Sequence, residues 1–161
     1  MQRNTVLFLV ACVVSLAAIG AIAQSAAPAD PPRFAQTLPD AVPWSSAPTL
    51  APPAQVAVLY GDPRKPGPYV TRVKLPDGYR IAPHTHPDER VYTVISGTFY
   101  IGFGDRIDAA RLKAFPQGSV FVVPANASHY HWMRSGESIV QITGVGPSGT
   151  AYTDRADDAR R

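Results

Sequence analysis

Short runs of apolar and β-branched residues alternate with turn residues along most of the chain after residue 55. Runs of this length, separated by Gly, Pro, Asn and Asp, are typical of β-strands. The predicted strands are residues 56–60, 69–75, 90–96, 98–103, 119–123, 128–133 and 138–143. One short helix is predicted over residues 106–113, and the sequence shows neither a βαβ unit nor an internal repeat. The pattern therefore predicts an all-β fold, either a sandwich or a small antiparallel barrel.

The first 23 residues have a different pattern. A short polar start that contains Arg3 precedes an apolar run, which ends in the small-x-small sequence Ala-Ile-Ala. This pattern predicts a signal peptide over residues 1–23, cleavage before Gln24, and a periplasmic or secreted protein without a membrane segment after cleavage. Two alternatives stay open: an uncleaved anchor, since the apolar run could just cross a bilayer, and lipoprotein processing at Cys12. Because Cys12 is the only cysteine, cleavage before Gln24 would leave no thiol for a disulfide or a metal.

Residues 24–54 are rich in proline, with eight prolines between positions 28 and 53. Proline has no backbone donor and joins a sheet only at its edge. The segment is therefore predicted to be a linker or an extended arm outside the core, with Phe34 and Trp44 lying against the barrel. The barrel itself is predicted to span residues 55–153, and residues 154–161 form a polar tail.

The charges exclude some functions. Fifteen Lys and Arg against twelve Asp and Glu give a formal net charge of +3, but these residues are scattered. Without a basic stripe or a known motif, nucleic-acid binding is not predicted. The sequence has no G-x-S-x-G elbow, which argues against a serine hydrolase. The Gly-rich residues 144–149 follow a strand without a helix after it, so they are interpreted as a loop and not as a phosphate site.

Three histidines are placed to meet at one point. Alternate residues of a strand face the same side, so His84 and His86 can present two imidazoles together. The predicted strand that ends at residue 123 and the turn that follows it bring back a third imidazole, His129. Three imidazoles on rigid strands favour a transition-metal site, although affinity alone does not select the metal.

These histidines belong to two motifs whose order and separation resemble the paired signature of the cupin superfamily. The matching residues are Gly78, His84, His86 and Gly97 in the first motif, and Gly118, Pro124 and His129 in the second. The resemblance covers roughly residues 55–152. It implies a small exported cupin with one antiparallel β-barrel, or double-stranded jelly roll, behind the proline-rich N-terminal arm. It also implies a divalent transition metal (Fe, Mn, Ni, Zn or Cu) on His84, His86 and His129, and a homodimer.

The chain departs from the signature at the position of the carboxylate ligand, where it has Arg90. Glu89 lies one residue earlier, and strand alternation turns it to the face opposite Arg90. A bulge or a shorter loop would let Glu89 reach the metal, so Glu89 is a candidate ligand or base. Met133 replaces the last Asn of the second motif and removes a polar contact. Asn126 replaces a Gly and suits a left-handed turn.

Two further residues are candidates for the chemistry. His131 shares the face of His129 and is a candidate fourth ligand, proton shuttle or outer hydrogen-bond donor; the ordinary alternative is a hydrogen-bonded histidine outside the site. Arg90 is a candidate clamp for a carboxylate or enolate oxygen. The resemblance implies oxygenase, isomerase or decarboxylase chemistry on a small molecule. The alternative is a non-catalytic module of the cell envelope that binds a small ligand or a metal.

Overall fold

The computed structural model of the chain describes residues 35–160, whose regular secondary structure is almost entirely β-strand. The strands are β1 (Ser45–Ser46), β2 (Gln55–Tyr60), β3 (Gly67–Leu75), β4 (Arg80–Thr85), β5 (Arg90–Ser96), β6 (Thr98–Phe103), β7 (Lys113–Pro116), β8 (Val120–Val123), β9 (His129–Trp132), β10 (Ser138–Gly146) and β11 (Ala151–Tyr152). Three short 3₁₀ turns lie at Pro39–Ala41, Ala109–Arg111 and Arg155–Asp157. Between residues 35 and 160, no helix is long and apolar enough to cross a membrane.

The strands form two antiparallel sheets. The six-stranded sheet has the order β1-β2-β3-β10-β5-β8, and the five-stranded sheet has the order β11-β4-β9-β6-β7. No strand pairing joins the two sheets within the described residues. The all-β jelly roll predicted from the sequence is confirmed, as two sheets and not as a continuously closed barrel.

One hydrophobic core is built from both sheets. Strands β3, β5 and β10 contribute Tyr69, Leu75, Tyr92, Val94, Val140 and Ile142, and strands β4 and β6 contribute Ile81, Phe99 and Ile101. Alternation along β5 turns Arg90, Tyr92 and Val94 inward, as their spacing predicts. The stacked rings of Tyr92 and Phe121, with centroids 5.0 Å apart, extend the core onto β8. Arg90 therefore enters the interior on the same side as apolar residues.

The structure corrects one secondary-structure prediction and adds strands that were not predicted. The predicted helix over residues 106–113 is wrong: only Ala109–Arg111 forms a 3₁₀ turn, capped by the Asp108 carboxylate, which accepts from the amide of Ala110 at 2.9 Å. Lys113 already begins β7, which pairs with β6. Strands β7 and β11 were not predicted, and β4 was expected only around its histidine motif, because each is short or interrupted by proline.

The described part of the proline-rich arm joins the fold. β1 pairs with β2 at the edge of the larger sheet, where proline-rich chain is tolerated. The Lys74 ammonium lies 4.4 Å from the centroid of the Trp44 ring, which confirms the predicted contact of Trp44 with the sheet. The arm was predicted to lie outside the core, but its last residue, Ala54, belongs to the core cluster. Phe34 and the predicted signal peptide lie outside the described residues.

Candidate metal centre

His84, His86 and His129 converge on one point inside the fold. His84 lies on β4 and pairs in register with His129 on β9, while His86 follows directly after β4. One ring nitrogen from each residue lies within 4.8 Å of the others. The ring centroids are 4.3 Å apart for His84 and His129, 4.8 Å for His84 and His86, and 5.1 Å for His86 and His129. The predicted convergence of these three imidazoles is confirmed.

Backbone carbonyls orient all three rings. Each Nδ1 donates to a carbonyl oxygen: His84 to Ala82 at 2.8 Å, His86 to Gly149 at 2.6 Å and His129 to Ala127 at 2.9 Å. Because a carbonyl can only accept, Nδ1 carries the proton in each ring and Nε2 keeps its lone pair. This is the tautomer in which histidine binds a metal through Nε2 while its other nitrogen is held by a partner.

One of these lone pairs has no partner. Nε2 of His129 is buried and makes no hydrogen bond to any described residue. A buried polar atom without a partner is uncommon and calls for an explanation, such as an ion. A divalent transition metal would satisfy it, and neutral imidazole is a ligand that Zn, Cu, Fe and Ni accept. The residues present therefore fit such an ion.

Burial keeps the three imidazoles neutral. It lowers the pKa of His84 to about 3, with a smaller contribution from neighbouring His129. Burial also lowers the pKa of His86 to about 2, assisted by the nearby Arg90 cation, and it lowers the pKa of His129. Charged forms are disfavoured in a low-dielectric interior. All three histidines are therefore unprotonated at neutral pH, as metal ligation requires.

His131 lies beside the group and not within it. Its ring centroid is 5.2 Å from that of His129 and 4.8 Å from that of Phe99. Its Nδ1 donates to the carbonyl of Tyr100 at 3.1 Å. Burial, followed by the neighbouring His129, lowers the pKa of His131 well below its ordinary value. The structure thus makes His131 a neutral neighbour of the three histidines.

The structure separates the two charged residues at the start of β5. Glu89 is exposed and is not part of the group of potential ligands, so no bulge brings it to the histidines. Arg90 is buried, and its Nε donates to Asp88 Oδ2 at 3.3 Å. Asp88 also accepts from the Tyr69 hydroxyl at 2.5 Å. The position of the expected carboxylate ligand therefore carries a cation that is paired with a neighbouring carboxylate.

The loop after β10 links this ion pair to the histidines. Arg90 Nη2 donates to the hydroxyl of Ser148 and, at 3.3 Å, to the carbonyl of Gly149. The same carbonyl accepts from Nδ1 of His86. Arg90 therefore holds the group that orients His86. This role was not predicted from the sequence, because residues 144–149 were interpreted only as a loop.

A cavity of about 790 Å³ adjoins the histidines. His84, His86, Arg90 and His131 line it together with many apolar side chains of both sheets. Residues 45–50 of the arm also form part of its wall. Its volume and mainly apolar lining are those of a site for a small organic molecule.

Two antiparallel sheets and a cavity beside a group of three neutral histidines define a jelly-roll protein with a candidate metal centre. Residues 67–158, more than half of the chain, match the family model described as Cupin. The chain therefore belongs to the cupin family. No curated protein is significantly similar to it in sequence.

Solved structures with the same fold include the polyketide cyclase RemF from Streptomyces resistomycificus. Its TM-score is 0.66 at 13% identity, over 80% of this chain and 91% of that chain. DMSP lyase DddQ from Ruegeria pomeroyi DSS-3 has a TM-score of 0.57 at 13% identity, over 71% of this chain and 62% of that chain. KdgF from Halomonas sp. has a TM-score of 0.55 at 16% identity, over 71% of this chain and 96% of that chain. At these identities the likeness concerns the fold alone.

Proposed function

We propose that this cupin holds a divalent transition metal on His84, His86 and His129 and acts on a small organic molecule in the adjoining cavity. The observation that carries the proposal is the buried Nε2 of His129, which has no partner among the described residues and belongs to a group of three neutral imidazoles. When bound, such an ion polarises a substrate oxygen or acidifies a water molecule. Because Glu89 is exposed, we assign the ion three protein ligands.

The residues around the three histidines have separate roles in this proposal. The apolar walls of the cavity exclude water and hold the body of the substrate. Arg90 and His131 both line the cavity and are the candidate residues for contact with the substrate. Arg90 also positions His86 through Gly149. The carbonyl partner of His131 fixes its tautomer, so its Nε2 can accept a hydrogen bond but does not carry a proton.

For the type of reaction, we propose a set of candidates and not a single one. Oxygenase, isomerase and decarboxylase chemistry are the candidates that follow from family membership, since one fold supports many reactions. Two structural neighbours are a polyketide cyclase and a DMSP lyase, which supports an enzyme with a small-molecule substrate. The cavity beside the histidines supports the same conclusion.

Metal content tests the proposal directly. We expect the natively purified protein to contain about one transition-metal ion per chain, because three neutral imidazoles with an open position form a typical site. Inductively coupled plasma mass spectrometry measures the content. Glu89→Gln is the matched control and should retain the ion, whereas His84→Ala should lose it. A wild-type protein with no more metal than His84→Ala would contradict the proposal.

A second candidate is a binding module without turnover. The observation that favours it is Arg90, a buried cation at the position where the family signature has a carboxylate ligand. A cation near the site disfavours a second cation, although the Asp88 carboxylate offsets part of this effect. This candidate is supported if the wild-type protein is free of metal and His84→Ala retains the wild-type stability.

We also propose that the protein is exported to the periplasm or the cell exterior, on the basis of the pattern of residues 1–23. Intact-mass measurement of the protein from its native host checks this proposal. We expect a mature chain that begins at Gln24. A mass that includes Met1, or a lipid on Cys12, would contradict cleavage at that site.

A further inference from the structure

Three arginines face the cavity, and each has an aspartate two residues before it. Arg64, Arg90 and Arg160 line the cavity and follow Asp62, Asp88 and Asp158. From this arrangement we infer that the cavity takes an organic anion, a molecule with an apolar body and one negatively charged oxygen group such as a carboxylate. The inference deepens the proposed function by naming the class of small molecule, and it rests on that proposal only in taking the cavity as the binding site.

The charged residues in the cavity wall are mostly positive. Among the described residues that line the cavity, Asp62 is the one acidic residue and there are three arginines. The other two aspartates are ion-paired with Arg90 and Arg160 but do not line the cavity. The three nearby imidazoles are neutral and add no negative charge. The charged side chains that line the cavity are therefore mainly positive, while each arginine is also paired with its aspartate.

The three ion pairs have the same geometry. In each pair, the arginine Nε donates to a carboxylate oxygen of its aspartate, at 3.0 Å in Arg64, 3.3 Å in Arg90 and 2.7 Å in Arg160. Nη2 donates to the other carboxylate oxygen of the same aspartate. This side-on pairing fixes the plane of the guanidinium and leaves Nη1 outside the ion pair. Nη2 of Arg90 and of Arg160 also donates to a backbone carbonyl, that of Gly149 and that of Thr150, and Arg90 has a further hydrogen bond with the Tyr92 side chain. A ligand carboxylate would therefore meet Nη1 and the positive charge of a guanidinium that is already held in place.

The arginines also differ in depth. The side chain of Arg64 is 85% exposed and that of Arg160 is 45% exposed, whereas that of Arg90 is 11% exposed. Two cations therefore stand near solvent, and one lies inside beside the histidines. Exposed cations at the opening of a low-dielectric cleft raise the local concentration of anions and their association rate. The buried Arg90 then meets the anionic end of the ligand. At this depth, an anionic group without a positive partner would be strongly disfavoured.

The remaining wall favours an apolar body. Val73, Leu75, Val140 and Ile142 line the cavity together with Phe99. None of these side chains can satisfy a polar group, so a ligand with several charges would lose hydration along this wall without compensation. An anion with one charged end and a hydrocarbon body matches both parts of the cavity.

Three probes of equal chain length test the inference. Octanoate, 1-octanol and octylammonium have the same apolar chain and differ at one end in charge. In isothermal titration calorimetry at low salt, we expect octanoate to bind about tenfold more tightly than octanol, because an ionised acceptor makes the stronger hydrogen bonds. Octylammonium should bind most weakly. Equal affinities, a preference for octylammonium, or no binding of any probe would overturn the inference.

Variants of the two outer arginines separate a local effect from the overall charge. Arg64→Gln with Arg160→Gln should weaken octanoate binding by about three- to tenfold and reduce its salt dependence, while octanol binding stays unchanged. The matched control is Arg106→Gln with Arg111→Gln, which removes two exposed arginines that do not line the cavity. An equal loss in the control would show that net charge alone acts, and would overturn the inference.

Metal content of the same preparations distinguishes this inference from the proposed function. If the protein contains its metal ion but binds octanoate no more tightly than octanol, the proposed metal site is supported and the inference of an anionic ligand is wrong. Conversely, His84→Ala without metal can still prefer octanoate, since the arginines are unchanged. That result would support the inference even if the proposed metal site failed.

Discussion

Replacing His129 with leucine is expected to lower the affinity of the protein for a divalent transition metal by about 100-fold or more. Loss of an outer partner of a ligand lowers metal affinity by roughly 10- to 100-fold, so loss of the ligand itself should reach at least the upper end. Leucine is close to histidine in size and cannot coordinate. Competition of Zn²⁺ between the protein and a chelating dye measures the change.

Stability measurements show whether the lower metal affinity of His129→Leu comes from the missing ligand or from a damaged fold. Without a metal ion, Nε2 of His129 would be buried with no partner among residues 35–160, an arrangement that costs about 1–3 kcal/mol. Leucine removes this term and also loses the hydrogen bond to Ala127, so the free energy of unfolding of the metal-free protein should change little. Metal at 100 times its dissociation constant should stabilise the wild type by about 2.7 kcal/mol, and the variant far less. Equal stabilisation of both proteins by metal would contradict the assignment of His129.

His131→Gln is the matched control for His129→Leu. His131 is a neighbouring buried histidine that lies outside the group of three, and glutamine can still donate to the carbonyl of Tyr100. We expect this variant to keep the metal affinity of the wild type within a few-fold. A loss of metal affinity as large as that of His129→Leu would show that His131 is also a ligand, and that the ion has more than three protein ligands.

The sequence was most informative where side chains alternate between the two faces of an extended chain. That alternation placed His84 with His86, and it turned Arg90 inward and Glu89 outward. These assignments need only local geometry, because side chains alternate along extended chain, although His86 lies just after β4 and Glu89 just before β5. The paired motifs then brought in His129 from a distant strand, as its pairing with His84 in the structure shows.

Contacts that depend on loops were beyond sequence reasoning. The loop after β10 brings Ser148 and Gly149 to Arg90 and His86, although they are about 60 residues apart in the chain. No local pattern encodes such a meeting, because it follows from how β10 and β11 are placed in different sheets. The three Asp-x-Arg pairs are visible in the sequence, but only packing shows that their arginines face one cavity.

Short elements were missed for a related reason. β7 follows a segment in which Ile107, Ala110 and Leu112 mimic one side of a helix, and the aspartate cap at Asp108 closes only a single 3₁₀ turn. β1 and β11 have two residues each, too few for any periodicity. Their strand conformation comes from pairing with a longer neighbour, so tertiary context decides it.

Asp88→Asn is expected to lower the free energy of unfolding by about 3–5 kcal/mol, the usual effect of removing one partner from a buried ion pair. The side chains of Arg90 and Asp88 are only 11% and 5% exposed, so solvent cannot replace the lost carboxylate. Asparagine has the same shape and can still accept from the Tyr69 hydroxyl. The loss therefore comes from a buried cation without its counter-charge, and chemical denaturation measures it.

Two comparisons make this prediction specific. Asp62→Asn changes the same Asp-x-Arg pairing at the surface, where Arg64 is 85% exposed, and should leave the stability nearly unchanged because water screens the pair. Adding Arg90→Met to Asp88→Asn removes the unpaired charge and should restore at least half of the lost stability, since a buried pair often can be replaced by apolar groups. If Asp88→Asn is no more harmful than Asp62→Asn, burial does not distinguish the two pairs and the role assigned to Asp88 is wrong.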